Sequence, residues 1–521
     1  MDRVDKPQQI ASAYKVFFGH YGDITAYARE RGVCRQWLYR EADSVCQALD
    51  HPPLREENRR LRQQPDEKEE QLQILQDRLA QAVIVDDEKQ AEFASVAQAV
   101  GVSLPNCRTL LEVLMAEPLS VATLGRRTQQ AGQKAGALLA VLDEWTQERV
   151  RQAAADEIYV QDPVLMIVEP ESLCWVAGRL SAEVSGPAWA KEFAQLPHLD
   201  QVMRDGGTGL AKGVALVNEQ RQEQDQTPVV DQGDHFHALR GSSVGLRKLE
   251  AAARQALEVV ERAEKELKEC QRQGRKLTGP TSRLRAAYQR AETALDAWSA
   301  GEQAWQKAKA AMQLVTPEGT LNSREQAATV LAETLPGLPE EGFGKVKRLM
   351  QKPEMLNYLD QVQGQLAALP YPEEVKKAAV DQECLRRRPE LLRGEGTQAA
   401  AGRGILLLCA VLLSQAGDVG KQAAAAVREI FRRAYRASSL VECINSVLRM
   451  QQASHRKMTQ GLLDLKRLYW NGHTFRTGRR RQSTPYQRLG VPWPEGLRWW
   501  DVLKLTPEQL RDKLSTAKKA A

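Results

Sequence analysis

The chain changes its hydrophobic period twice, and the changes divide it. From Gln9 to Ala42 apolar residues recur at helical spacing on either side of a short turn, YGDITAYARERGV then CRQWLYREA, with Asp23 placed to cap one helix and Gly32 to make the turn. This is a helix-turn-helix pattern, and its second helix is expected to present Arg35, Gln36, Tyr39 and Arg40 to a major groove while Val33, Trp37 and Leu38 pack inward. Residues 51–90 read as a linker helix or short coiled coil. Leu54, Leu61, Leu75 and Ala82 share one heptad seam, Leu72 and Leu79 the other, and Pro65 is expected to break it. Residues 91–150 read as a second helical DNA-binding module, with Ser103 and Ser120 as caps.

Near residue 155 the period drops to two. AADEIYV, PVLMIVEP and SLCWVAGRL are three β-type runs separated by turn residues, an antiparallel meander. A helix from Ala188 to Gln195 follows, then a strand HLDQVMRD ending at Asp205, the turn GGTG, a helix from Leu210 to Gln222 and a last strand PVVDQGDHFH. Three strands, helix, strand, helix, strand is the element order of an RNase H-like core. After His237 the helical period returns. Leu246 to Gly274 and Arg283 to Leu314 read as long amphipathic helices turning near GPTS, GILLLCAVLLSQAG as an apolar helix, and Ala423 to Met450 as one helix carrying Glu442.

The expected fold class is therefore multidomain α+β. Helix-turn-helix modules (1–50 and 91–150), joined by 51–90, precede an RNase H-like mixed sheet core in two parts (151–240 and 421–475). An all-helical insertion (241–420) interrupts the core, and a basic C-terminal tail (476–521) ends the chain. At 521 residues the chain is too long for one hydrophobic core, which agrees with this division.

The net charge of +6 decides little by itself, but its distribution is informative: Arg479, Arg480, Arg481, Arg488, Arg498, Lys504, Arg511, Lys513, Lys518 and Lys519 make the tail the expected seat of a polyanion. The eight cysteines lie far apart with no CxxC pair, so they read as reduced thiols and not as a zinc site. The polar opening MDRVDKPQQ has no secretory character, and the longest apolar run, Ile405 to Leu413, is about half a bilayer span. A soluble cytoplasmic protein with no membrane partner is expected.

The acids narrow the chemistry. Phosphoryl transfer assisted by two metal ions needs carboxylates converging from separate elements. Asp156 lies among apolar neighbours inside the first strand, where an acid without a role is costly, and Asp205 ends the fourth strand beside a glycine turn. Asp231 and Asp234 compete with Asp205 for the second place. Glu157 alternates to the opposite face from Asp156. His235 and His237 lack partners at zinc spacing and are expected to pack or to contact DNA, and Glu169 and Glu171, at a hairpin turn, are expected to be solvated.

In ADEIYV, VMRDGGTGLAKGV, VVDQGDHFHALR and SSLVECINSVLRM the chain resembles the DDE transposases of bacterial insertion sequences, and GLLDLKRLYWNGHTFRTGRRRQSTPYQRLG resembles their C-terminal ends. The resemblance spans about residues 150 to 490. It implies Asp156, Asp205 and Glu442 as catalytic residues holding two Mg²⁺ ions, with Mn²⁺ as a substitute. The implied partner is double-stranded DNA, both terminal inverted repeats and target, bound by a homodimer or higher homo-oligomer at the nucleoid.

Some of these enzymes carry a Tyr, Arg, Glu, Lys signature around the third acid. Tyr435, Glu442 and Arg449 match its spacing, Ser438 stands where the Arg would be, and Arg436 or Arg449 is left to meet the DNA backbone. Trp298, seven residues from Trp305, is the candidate for stacking on a base, against the alternative that both are core. A non-catalytic DNA-binding regulator, a transposase relic, or an RNase H-like nuclease are the rival readings.

Overall fold

The computed structural model describes residues 6–48, 52–81, 85–114, 117–455 and 457–520, and the chain divides into two compact units, Met1–Lys89 and Gln90–Ala521.

The first unit is helical: α1 (Lys6–Phe18), α2 (Asp23–Glu30), α3 (Arg35–Ala48) and α4 (Pro52–Gln81). Ala13, Val16, Ala28, Leu38, Tyr39 and Ala42 form its core. Gly32 makes the turn before α3 with φ +68°, a backbone a side chain resists. Asp23 does not cap α2; Gly22 occupies the cap position, and the Asp23 carboxylate accepts from the His20 N–H at 3.1 Å. On α3 the expected faces are partly exchanged. Tyr39 is buried at 5% exposure and unavailable to a groove, whereas Trp37 is exposed under the Arg31 guanidinium. The reason is that Leu38, Tyr39 and Ala42 make one face of α3, and α1 packs on it. Gln36 and Arg40 are exposed, and Arg35 is half-buried and paired with Glu69 at 3.1 Å. α4 runs through Pro65 without the expected break, carried by strong helix formers on both sides. On it Leu72 and Leu75 are exposed; Ala82 lies outside the described residues.

The second unit takes in all but the first three residues of α5 (Asp87–Ala99), then α6 (Leu104–Leu114) and α7 (Val121–Gln147). Ser120 caps α7, accepting from the Thr123 N–H, and Ser103 accepts from the Asn106 N–H. These helices do not stand apart as a separate module. Leu138, Leu139 and Leu142 of α7 share a core with residues near the C-terminus, and a Cβ at Gly132 would lie 2.6 Å from the Gly461 carbonyl oxygen, so glycine lets the two helices touch.

The sheet follows: β1 (Gln152–Val160), β2 (Asp162–Val168), β3 (Trp175–Leu180), α8 (Gly186–Phe193), β4 (Gln201–Arg204), α9 (Thr208–Glu223) and β5 (Val230–Gly233). Its order is β3-β2-β1-β4-β5, with β1, β2 and β3 antiparallel and β4 and β5 running parallel to β1. The last strand is shorter than expected, because Asp234 turns the chain into a helix.

Helices then run α10 (His235–Arg272), α11 (Thr278–Ala311), α12 (Arg324–Thr334), α13 (Glu340–Met350), α14 (Asn357–Ala367), α15 (Glu373–Arg386), α16 (Thr397–Gln415) and α17 (Gly417–Arg432). Their core gathers Trp305, Leu331, Phe343, Tyr358, Leu413 and Phe431. The long helix expected from Ala423 to Met450 is two, α17 and α18 (Ser439–Gln452), separated at 433–438. Among the described residues one helix, α16, is long and apolar enough to cross a membrane by length and composition; its Leu407 and Leu408 are exposed.

Finally come α19 (Gln460–Gly472), α20 (Pro485–Leu489), α21 (Trp499–Val502) and α22 (Pro507–Ala520). The basic end is no loose tail: Trp493, Trp499, Leu510 and Leu514 are buried against α7 and α19. Alternation along the strands assembles three layers. Ala153, Ala155, Leu165 and Val202 meet α8 and α9 through Trp189, Phe193 and Val214. Ala154, Ile158, Met166 and Met203 meet α18 and α19 through Val441, Ile444, Leu448 and Leu463.

Candidate active site

Asp156 stands where that second face of β1 would otherwise carry an apolar residue. It is 6% exposed, beneath α18. The parallel register pairs Ala155 with Arg204, so Asp156 in the middle of β1 comes level with Asp205 just past the end of β4. Asn445, three residues after Glu442 on α18, donates its Nδ2–H to Asp156 Oδ2 at 3.0 Å. Burial, then the charges of Asp205 and Glu442, push the Asp156 carboxyl up to about 7, with His237 acting in the opposite sense.

Asp205 begins the Gly206–Gly207 turn and accepts from the Gly207 N–H at 2.8 Å. Glu157 starts on the opposite face of β1, as alternation requires, but its side chain reaches the same turn. A Cβ at Gly207 would lie 2.8 Å from Asp205 Oδ1 and 3.6 Å from Glu157 Oε1. Burial, then Asp205, raise the Glu157 carboxyl, and its Oε2 is buried with no hydrogen-bond partner among the described residues.

The rival acids are engaged elsewhere. Asp231 pairs at 2.6 Å with Arg204, which is almost fully buried. Asp234 caps α10, accepting from the Phe236 N–H at 2.7 Å and the Ser438 hydroxyl at 2.6 Å. Burial would raise its carboxyl, but bonds from His237, Ser438 and the Phe236 N–H outweigh it and hold it low. Ser438 thus spends its side chain on Asp234, not on a phosphate.

His235 and His237 part company. His235 is buried against Tyr358 with Nε2 2.8 Å from the Met355 carbonyl, and burial lowers it to about 4. His237 is bound through Nδ1 to Asp234 at 2.5 Å, which leaves Nε2 for the cleft it lines with Asp205. The Asp234 hydrogen bond raises its basicity, burial works against this, and the charges of Asp234, Asp156 and Asp205 add to the rise.

Glu442 lies in the first turn of α18 with Oε2 on Arg449 Nη1 at 2.8 Å. Among the described residues no three carboxylates, imidazoles or thiols already converge as a metal-holding group. The donor set nevertheless suits a hard divalent cation: it is oxygen-rich and mutually repelling, and one buried oxygen has no partner.

The outer candidates are distributed differently from the expected single helix face. Tyr435 precedes α18 in the break after α17, half-buried near Glu171 and Arg432. Arg436 is bound to Met312 O and Gln313 and lies over Tyr358, a structural duty that leaves Arg449 as the exposed cation. Trp298 is partly exposed on α11, while Trp305 is core. Glu169 is buried, accepting from the Ser172 and Glu171 N–H groups, and Glu171 pairs with Arg432 at 2.6 Å, so neither is simply solvated. Sequence reasoning missed Asn445 and the reach of Glu157; the helical spacing from Glu442 to Asn445 was the available signal for the first.

No family model, curated protein or solved structure matches the chain.

Proposed function

We propose that this protein cuts and joins DNA by phosphoryl transfer, as a DDE transposase with an RNase H-like core. The observation that carries the reading is the level pair Asp156 and Asp205 on adjoining parallel strands, with Glu442 on a helix packed over the same face. The strand order and the long helical stretch between β5 and α18 support it as well.

In this reading Asp156, Asp205 and Glu442 hold the metal, with Glu157 a fourth oxygen source. Two Mg²⁺ ions, or Mn²⁺ in their place, would supply an activated water or 3′-hydroxyl and neutralise charge on the phosphate. The sheet keeps Asp156 and Asp205 rigid, so the ordering cost is met by folding and not during the reaction. Asn445 fixes the Asp156 carboxylate, and Arg449 is the exposed cation on α18 for the DNA backbone. Asp234 orients His237, whose Nε2 is free to donate to a phosphate oxygen beside Asp205.

Gln36, Arg40 and Arg35 on α3 bind the element's terminal inverted repeats, and the exposed Leu72 and Leu75 on α4 pair one copy with another on DNA. Double-stranded DNA is the partner, in the cytoplasm at the nucleoid.

The test is cleavage and strand transfer on a plasmid carrying the flanking DNA ends, with Mg²⁺, comparing wild type with Asp205→Ala and Glu442→Ala. Both variants should lose activity by about a thousandfold or more while still binding the ends. Cleavage without joining would favour an RNase H-like nuclease. Tight binding by an inactive wild type would favour a regulator or relic.

A further inference from the structure

Beside the acids, on the far side of Asp205 and His237, a cleft of about 740 Å³ opens between the start of α10 and α13. One end is formed by those two residues and the Gly206–Gly207 turn. Its flanks carry Arg240 from α10, Lys345 and Arg348 from α13, and Lys352 just beyond. Between these cations lies an apolar floor of Val244, Val346 and Leu349.

The cations are available. Among the described residues the side chains of Arg240 and Lys345 have no hydrogen-bond or ion-pair partner, and both are exposed. Arg348 reaches only the Gly344 carbonyl, and Lys352 has one loose pair with Glu354 at 3.8 Å. Four positive groups around a cleft that ends on a carboxylate call for a ligand bearing several negative charges along its length.

The apolar floor then discriminates between forms of nucleic acid. A duplex turns its charged backbone outward and keeps its bases stacked inside, so the floor would meet nothing it could cover. An unpaired strand exposes sugar and base faces between its phosphates, which fits apolar residues flanked by cations. The size agrees, because a cleft of this volume is on the scale of a small ligand.

We propose that this cleft seats the single DNA strand carrying the phosphate to be cut, its phosphodiester oxygens on Arg240, Lys345, Arg348 and Lys352 and its sugars and bases on Val244 and Leu349. The strand then leads to Asp205 and His237 from the insertion side, so duplex must be opened next to the acids before it is cut. This assignment rests on the DNA-cutting reading and specifies the form of DNA that the site takes.

The experiment is fluorescence anisotropy on the full chain without divalent metal, comparing a labelled oligothymidylate with a duplex of equal length over a range of salt. The variants are Lys345→Glu with Arg348→Glu, Val244→Trp, and Lys421→Glu with Arg428→Glu as a charge-matched control on α17, where the two side chains are 81% and 57% exposed. The double variant should bind the single strand about tenfold or more weakly, with its salt slope reduced by roughly 1.4 for two lost phosphate contacts, and should lose much less duplex affinity. Val244→Trp, which fills the cleft without changing charge, should also weaken the single strand selectively. Equal losses for single strand and duplex, or losses no larger than with the α17 double variant, would overturn the proposal.

The two readings fail separately. Acid-dependent cleavage by a double variant that binds the strand normally removes the cleft and keeps the cutting activity. Selective strand loss in a protein whose wild type cuts no DNA keeps the cleft and removes the activity.

Discussion

Asn445 holds Asp156: its Nδ2–H meets Oδ2 at 3.0 Å in a buried contact that ties α18 to the middle of β1. Glu442 is one turn earlier on the same helix, so a single rigid element both carries the third acid and steadies the first.

Replacing Asn445 should therefore disturb the site without touching any proposed ligand. Asn445→Ala removes a buried donor and is expected to cost about 1–3 kcal/mol of stability, read as a lower urea midpoint. Asn445→Asp sets a second carboxylate against Asp156 and should be still less stable at pH 8, with part of the loss recovered on acidification or on adding Mn²⁺. An Asn445→Asp protein as stable as wild type at pH 8 would sink this account.

In the proposed site metal would compete with Arg449 for the Glu442 carboxylate, and the DNA backbone would compete with Glu442 for the Arg449 guanidinium. Arg449→Gln should bind Mn²⁺ more tightly in calorimetry, because the carboxylate is released from the 2.8 Å pair. The same variant should bind duplex DNA less tightly, with the salt slope falling by about 0.9 for one lost phosphate contact. Movement of both quantities in the same direction would contradict the competition.

Metal binding should depend on pH through Asp156. Its carboxyl is raised to about 7, so below that pH a cation must displace a proton and above it need not. The rise in melting temperature produced by a fixed Mg²⁺ concentration should thus be larger at pH 8 than at pH 6, and Asp156→Asn should abolish most of it. An equal Mg²⁺ effect at both pH values would show that Asp156 is not a ligand.

Lys466 provides a pH signature away from the acids. Burial lowers its ammonium from 10.5 to about 7, while Nζ donates to the Gln98 carbonyl at 2.9 Å and to Gln451. Between those pH values the unfolded chain binds a proton that the folded chain does not, so stability rises with pH across the window. The urea midpoint of wild type relative to Lys466→Met should climb from pH 7 to pH 10. A difference independent of pH would mean that the amine is charged in the folded protein.

Much of this molecule is legible from local pattern. Strand alternation from Gln152 to Leu180, the glycine turn after Asp205, and the helical period on both sides of the sheet are short-range properties, set by which residues can share a face. They locate Asp156 inside a strand and Asp205 at the end of another with no knowledge of the fold. Ser120 as a cap and Gly32 in its turn are equally local.

Tertiary packing decided the rest, because identical local patterns have several ways to be covered. Tyr39 and Trp37 both suit either face of α3, and only the position of α1 determined that Tyr39 is buried and Trp37 exposed. Helices 91–150 and the basic end are separate in local pattern, but α7 needs α19 and α22 to cover its apolar face. The break between α17 and α18 follows from contacts made there: Ser438 bonds to Asp234, and the His235 N–H donates to the Arg436 carbonyl, partners some 200 residues away in the chain. The sequence determined which acids are present and on which elements. Only the parallel pairing of β1 with β4, and α18 lying across them, decided which acids meet, since burial and charge act through space and not along the chain.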